Sequence, residues 1–488
     1  MKKIKYIAAS AAFLLLGTSC GNDWLNLEPS TYMPTDEIIN ELSDIDLVLN
    51  GIYSTMQSAY AYSGRFIYYA DATGDDMQTI KSTNRTGSYY LMKYTKDDAP
   101  STFWSYPYNM LNMCNLIIGQ TDGIETLETE TRDSYKGQAY AIRGMITFEL
   151  TRFYGYPYKK DNGASLGVPI ANKVFGKDEK PSRNTVAECY DAVISDLETA
   201  ISLMNNDEGR KFNKGHINRW AAMALLSRVY LYHGDDQKAF QMATEAINGA
   251  EAQGYHLWST EEYPTAWSVD AGSASAAGEV LFEVVNTTDD SPGKESLGYL
   301  HNPSGYYDIC VTTSFYDLLT QDPDDVRIKL LKSKNNYGYF VYKFQPQDGE
   351  TIYDANIPVL RLSEVYLNAA EAAVKLNDNA NAVKYLDAIV NRANPANTVQ
   401  GTTVTLERVM TERRKELVAE GHRMYDALRD GGYVERYDIE DSPLPNRHLP
   451  LDADAVRFNW DYYKCVLAIP KAEMDVNPNL IQNPEYAK

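Results

Sequence analysis

Between residues 36 and 62 apolar side chains fall at Ile38, Leu42, Ile45, Val48, Leu49, Ile52 and Met56. Spacings of three and four put these on one face of a helix. The same period returns over residues 133–155, through Ile142, Met145, Ile146, Phe148, Leu150 and Phe153. Residues 185–204 and 405–429 predict two more amphipathic helices. Residues 71–107 lose the period and are rich in Gly, Asp, Asn, Thr and Tyr, which predicts a long irregular segment.

Two stretches share a pattern. Leu226, Ser227, Tyr230, Ala239 and Ala246 occupy tetratricopeptide offsets around a Gly234-Asp235-Asp236 turn. Tyr366, Ala369, Ala370, Ala373, Ala382, Leu386 and Ile389 fit the same template around Asn377-Asp378-Asn379. Alanine at these offsets lets antiparallel helices approach closely and stack on the next pair. The plainer alternative is a set of generic helical hairpins. Residues 255–357 interrupt the two pairs with an irregular insert. It holds two strand-like runs, Glu279–Val285 and Gly338–Phe344, among Trp258, Trp267, Tyr299, Tyr306 and Tyr307. The expected fold is mainly α, a tetratricopeptide-like helical-repeat scaffold with long irregular loops and a little β structure. No low-complexity linker divides it.

The N-terminus changes the picture of compartment. Lys2, Lys3 and Lys5 precede a short apolar run from Ile7 to Gly17, too short to span a bilayer and organised like a secretory signal. Gly17, Thr18 and Ser19 then lead into Cys20. This resembles a bacterial lipobox, although Gly17 stands where Leu is usual, and it implies acylation of Cys20. An ordinary cleaved signal is the alternative. Residues 1–19 are thus expected to be a signal peptide and residues 20–35 a lipidated tether. Cys114, Cys189, Cys310 and Cys465 show no CxxC or Cys/His spacing, so neither zinc nor a redox pair is indicated, and buried thiols are expected.

Lys and Arg number 46 against 67 Asp and Glu, a net charge of −21. Such a surface repels phosphate backbones and argues against nucleic-acid binding. Tyr is unusually frequent, 38 residues against 13 Phe. Its flat apolar face and hydroxyl suit wet, ring-shaped ligands as well as a core.

Five segments in order resemble the SusD/RagB family, surface lipoproteins of Bacteroidetes nutrient uptake. They are QAYAIRGMITFELTRFYGYPY at residues 138–158, Arg183–Ala200, Arg361–Ala372, Glu412–Asp426, and the closing Leu467–Pro470 with Asn477–Pro484. The resemblance covers nearly all of the chain after Cys20. It implies a single unit over residues 36–488, with an N-terminal family region about 20–230 and a C-terminal one about 270–488. It also implies a non-enzymatic protein, held at the outer membrane and facing outward, that captures ligand for a SusC-like TonB-dependent transporter. On the residues alone, Glu416, Glu420, Arg413 and Arg423 are expected to share one helix face as ion pairs. Such motifs mark the family and not its site.

Catalytic patterns are weak. Gly163-Ala164-Ser165-Leu166-Gly167 matches GxSxG, but polar YKKDN precedes it and Val168-Pro169 follows, so a strand–Ser–helix elbow is not expected. The six histidines form no HExxH, and no phosphate loop, dinucleotide fingerprint or calcium loop is present, so no cofactor or metal is expected. Asp75 and Asp76 offer carboxylates without an identifiable partner for glycoside hydrolysis.

A sugar site needs aromatic faces and planar polar groups, and residues 65–108 concentrate them. The candidate ligand-binding residues are Trp104, Asp75, Asp76, Asn84, Arg85, Tyr106 and Tyr108, with Tyr306 and Tyr307 from the insert. The family resemblance implies binding loops in these two regions. For each ring, packing onto the scaffold is the competing outcome. The expected ligand is an oligosaccharide, neutral in view of the net charge, with a peptide as the alternative. A scaffold binding only proteins remains the other function class, and it would display its aromatics on the concave helical face.

Overall fold

The apolar stripes become helices α1 (Leu42–Gln57), α2 (Arg65–Ala72), α3 (Thr102–Gln120), α4 (Thr129–Tyr154), α5 (Val186–Leu203), α6 (Arg219–His233), α7 (Asp236–Ala252), α8 (Leu362–Lys375), α9 (Asn379–Ala393), α10 (Leu406–Leu417) and α11 (Arg423–Leu428). The computed structural model describes residues 38–176, 178–204, 213–268, 278–334, 337–346, 351–438 and 448–487. The predicted signal, the tether and Cys20 lie outside the described residues. Among those described, no helix is long and apolar enough to cross a membrane.

The two alanine-rich pairs turn by the same device. α6 ends on Gly234 at φ +94°, and Asp235 accepts from the Lys238 amide at 3.1 Å to start α7. α8 ends before Asn377 at φ +61°, and Asp378 accepts from the Asn381 amide at 3.1 Å to start α9. Each pair thus uses a left-handed residue and then an Asp cap. Ala239, Ala243, Ala246 and Ala250 are fully buried, as are Ala369, Ala370, Ala372 and Ala373. Small side chains let α8 pack directly on α7, so the insert leaves the stack unbroken. α3, α4 and α5 extend the row of packed helices on the other side of α6.

Among the described residues, eight short strands form four antiparallel pairs: β1 (Met77–Thr79) with β3 (Ile309–Val311), β2 (Val280–Val284) with β6 (Ile357–Arg361), β4 (Leu331–Ser333) with β5 (Tyr339–Val341), and β7 (Val434–Glu435) with β8 (Arg457–Phe458). β2 and β5 fall inside the two predicted strand-like runs. Pairing of β1 with β3 matters most, because it staples the segment after α2 to the insert. One large apolar cluster runs from Ile39 to Tyr486, and a smaller one gathers Trp258, Tyr263, Trp267, Val280, Val326 and Leu330. The cysteines Cys114, Cys189, Cys310 and Cys465 are all buried in the structure.

Two expectations fail. Residues 71–107 are not one irregular segment: α3 begins at Thr102 and carries Trp104, Tyr106 and Tyr108 on a helix. Pro107 sits inside it near the start, where the lost amide costs a single hydrogen bond. The helix predicted over 405–429 stops at Leu417, with Ala419 at φ +67° and Gly421 at φ +77° before α11. The four charged residues therefore share no common helix face. Glu416 and Glu420 instead meet Arg361, Arg413 pairs with Glu364 and Asp426, and Arg423 pairs with Asp75.

The family-like motifs are braces between elements. All the guanidinium nitrogens of Arg183 donate to oxygens: Gly167, Leu166 and Tyr154 carbonyls at 2.6, 2.8 and 3.0 Å, and Ile481 and Asn483 at 2.9 Å each. This locks the loop after α4 to the C-terminal segment. The GxSxG run lies in that loop. Gly163 is at φ +74°, with α5 beginning only at Val186, so no nucleophile elbow is formed.

Candidate functional site

Most of the predicted aromatic concentration is core. Phe66, Tyr69, Phe103 and Phe153 interlock edge to face, with the Phe103 and Phe153 rings 4.8 Å apart and those of Tyr69 and Phe103 at 5.3 Å. Tyr68, Tyr89 and Tyr90 are buried beside them. Here the tyrosine excess serves packing at least as much as ligand.

Trp104 is only 6% exposed, with its ring 4.9 Å from Tyr108 and 5.1 Å from Tyr154. Its faces are occupied, so it offers no stacking platform. Tyr108 donates its hydroxyl to the Pro169 carbonyl at 2.8 Å and is a packing residue as well. Helical phase explains both: on α3 these positions turn toward α4.

Asp75 and Asp76 are buried and ion-paired. Arg423 donates through Nη2 to Asp75 at 3.1 Å, and the Glu435 amide adds 3.0 Å. Arg414 Nε donates to Asp76 at 3.0 Å. Burial alone would raise the Asp75 pKa, but Arg423 and Arg414 outweigh it and hold the carboxyl below the usual range. These carboxylates clamp the turn after α2 to α10 and α11. They are neither ligand-facing nor placed as a glycosidase pair.

What remains forms a cleft of about 390 Å³ between the turn after α1 and the start of the insert. Tyr60, Arg65 and Tyr68 line one wall; Arg85, Ser291, Pro292 and Glu295 line the other; Ser54, Gln57 and Ser58 complete it with small polar groups. Tyr60 is 41% exposed and its ring lies 5.5 Å from that of half-buried Tyr106. The Arg65 guanidinium sits 4.3 Å from the Tyr60 centroid. Opposite, the Arg85 guanidinium sits 3.9 Å from the centroid of Tyr306, itself 36% exposed and edge-on to Tyr299 at 4.8 Å. One wall therefore carries a tyrosine ring held by an arginine, and the other an arginine laid over a tyrosine ring.

Local sequence builds both walls. The Arg65 amide donates to the Ala59 carbonyl at 3.0 Å, and a Cβ at Gly64 would lie 2.1 Å from that oxygen. On the insert side the Tyr306 amide donates to the Tyr299 carbonyl at 2.9 Å, and a Cβ at Gly305 would lie 2.2 Å from it. Only glycine permits either turn to close and present its tyrosine.

The β1–β3 pairing fastens Arg85 to the insert within the second wall. Asn84 follows β1 and donates to the Asp308 carbonyl at 3.2 Å, while the Arg85 amide donates to the Asp308 carboxylate at 3.2 Å. Glu295 takes Arg85 at two points, 2.6 and 2.7 Å. Of the predicted residues, Arg85 lines the cleft, Tyr106 packs on Tyr60 and Tyr306 on Arg85, with Asn84 as a positioning residue. Tyr307 points elsewhere: φ +45° turns it toward Tyr337, 5.2 Å away, under the Lys334 ammonium. Tyr60, Arg65 and Glu295 went unread because the α1 stripe continued through residue 62, which made Tyr60 look like part of a helix.

No group of three or more His, Cys, Asp or Glu side chains suited to a metal occurs among the described residues.

Architecture and cleft define a tetratricopeptide-like helical scaffold whose inserts, and not its repeat helices, build a ligand-sized groove. Family models match in two places: residues 23–231 fit a SusD-like model described as starch-binding and associating with the outer membrane, and residues 323–486 fit the SusD family model. A crystal structure of a candidate sugar-binding protein from Bacteroides vulgatus is 58% identical, covering 92% of this chain and 99% of that one, with a TM-score of 0.89. A SusD superfamily protein from the same organism is 38% identical, covering 92% and 100% of the two chains, with a TM-score of 0.84. SusD-like protein P2 of Formosa agariphila is 24% identical over the whole length of both chains. The chain belongs to the SusD family.

Proposed function

We propose that this protein captures a glycan in the cleft between Tyr60 and Arg85 and passes it to a SusC-like TonB-dependent transporter, while held at the outer membrane through a lipid on Cys20. The observation that carries the reading is the exposed Tyr60 ring, steadied by Arg65 on a groove of about 390 Å³ lined by small polar groups, with Arg85 on the facing wall laid over the Tyr306 ring. Pyranose rings present C–H faces to aromatics and hydroxyls to planar polar side chains, and such a groove offers both. The family model's description as starch-binding at the outer membrane, and the sugar-binding description of the 58% identical relative, support the same class of ligand. Exposed Tyr60 and Tyr306 lie in turns outside the repeat helices, whereas a scaffold that bound only proteins would place its aromatics on the helical face.

Isothermal titration against a panel of oligosaccharides tests this, with Tyr60→Ala and Tyr306→Ala as variants. Each is expected to lose on the order of 1–3 kcal/mol, roughly 5- to 150-fold in affinity, with little change in melting temperature. Unchanged affinity in both variants would move the site away from this cleft.

A further inference from the structure

The charges of the cleft choose among glycans, an inference that rests on the capture reading above. We propose that the cleft takes an anionic glycan, with Arg65 recognising an oxyanion substituent, carboxylate or sulfate. The two cleft arginines differ in how they are neutralised. Arg85 is held by both oxygens of Glu295 and lies 3.5 Å from the Asp308 carboxylate behind it. Arg65 has no carboxylate within ion-pair distance among the described residues. Its Nη1 donates to the Thr102 hydroxyl at 2.7 Å, and the Tyr68 hydroxyl is its other polar neighbour. Two neutral hydroxyls leave much of a five-donor guanidinium unused.

This is unusual within the chain. The buried arginines Arg143, Arg228, Arg327, Arg361, Arg413 and Arg429 all meet carboxylates. Arg183 and Arg436 lack one, but donate to backbone carbonyls, with Asn483 added for Arg183. Arg65 alone of these cases stands half-buried on a cleft wall, propped on Tyr60, with the only lining carboxylate already chelated across the groove. A planar guanidinium fixed by an aromatic face is the geometry that binds a carboxylate or sulfate at two points. The negative net charge does not oppose this at short range, since salt screens charges beyond about 8 Å at physiological ionic strength.

Titration with charge-neutralised pairs on one backbone tests the inference: oligogalacturonate against its methyl ester, and carrageenan oligosaccharides against their desulfated form, with cello- and malto-oligosaccharides as neutral references. At least one acidic member is expected to bind ten-fold or more tighter than its neutral counterpart; which pair shows the gap tells carboxylate from sulfate. Arg65→Gln should erase that gap and Arg65→Lys should keep part of it, with thermal melts confirming folded protein. Equal affinity within both pairs, or a gap that survives Arg65→Gln, would overturn anion recognition by Arg65 while leaving glycan capture standing. No binding to any oligosaccharide, neutral or acidic, would overturn the capture reading itself. If Arg65→Gln does not fold, the comparison of pairs on the unmodified protein still decides the ligand class.

Discussion

Arg361 and Glu420 form a two-point ion pair, 2.7 Å from Nε and 2.6 Å from Nη2, with both side chains buried. They belong to two different family-like segments, at the end of β6 and in the break between α10 and α11. Glu416 and Glu279 also contact Arg361, Lys343 also contacts Glu420, and Arg392 bridges Glu279 and Glu416 at 3.2 and 2.7 Å. The cluster welds the insert to the C-terminal helices.

Removing one member of such a cluster leaves charge without a counter-charge in a dry interior. Glu420→Gln is expected to destabilise the protein by about 3–5 kcal/mol, because Arg361 and Lys343 both lose a partner. Urea unfolding checks this. A change under about 1 kcal/mol would show that the cluster is wetter than its burial indicates.

Acid should destabilise the fold in two stages. Burial holds His301 down to about 3, His448 down to about 4 and His422 well below its usual value. The unfolded chain takes up these protons first, near pH 6.5, so stability is lost as pH falls below that value. For Glu364, Glu412 and Asp426 burial works to raise the pKa, but Arg228, Arg327 and Arg413 respectively outweigh it and keep them below the carboxylate range. Unfolded carboxyls protonate from about pH 4.5 downward, so the loss steepens there. Asp71 and Asp196, raised by burial, oppose the slope in part. Melting temperature should be flat near pH 7–8, decline from 6.5 to 4.5 and fall sharply below. A flat profile down to pH 4 would contradict the neutral buried histidines.

Trp104→Ala tests core against platform. With the ring enclosed by Tyr108 and Tyr154, the variant should lose about 3–5 kcal/mol of stability. Glycan affinity of the fraction that stays folded should change little. A stable variant with lost affinity would return Trp104 to the binding site.

Globomycin treatment of cells should leave an uncleaved, signal-bearing precursor in the membrane fraction; intact-mass analysis of the protein from untreated cells should show residue 20 as the N-terminus, carrying diacylglycerol. Tagged, lipidated protein extracted in mild detergent should bring down a large β-barrel transporter. Recovery without any such partner at native expression would remove the delivery step while leaving ligand capture intact.

The sequence by itself determined the scaffold. Period-3.6 stripes, alanines at stacking offsets and paired turn signals at Gly234-Asp235 and Asn377-Asp378 are local properties, so α1, α4, α5 and both repeat pairs were legible, as were β2 and β5. What tertiary structure alone decided was which polar and aromatic residues face water. Trp104 and Tyr306 are both large aromatics in tyrosine-rich stretches. Yet the phase of α3 turns the first into the core, while Gly305 turns the second outward. Asp75 and Asp76 read as free carboxylates until Arg414 and Arg423, more than 300 positions away, arrived to pair with them. Arg85 and Tyr306 lie more than 200 positions apart and meet only because β1 pairs with β3. Burial and charge pairing are set by such distant contacts, and one-dimensional periodicity carries no record of which partner will come.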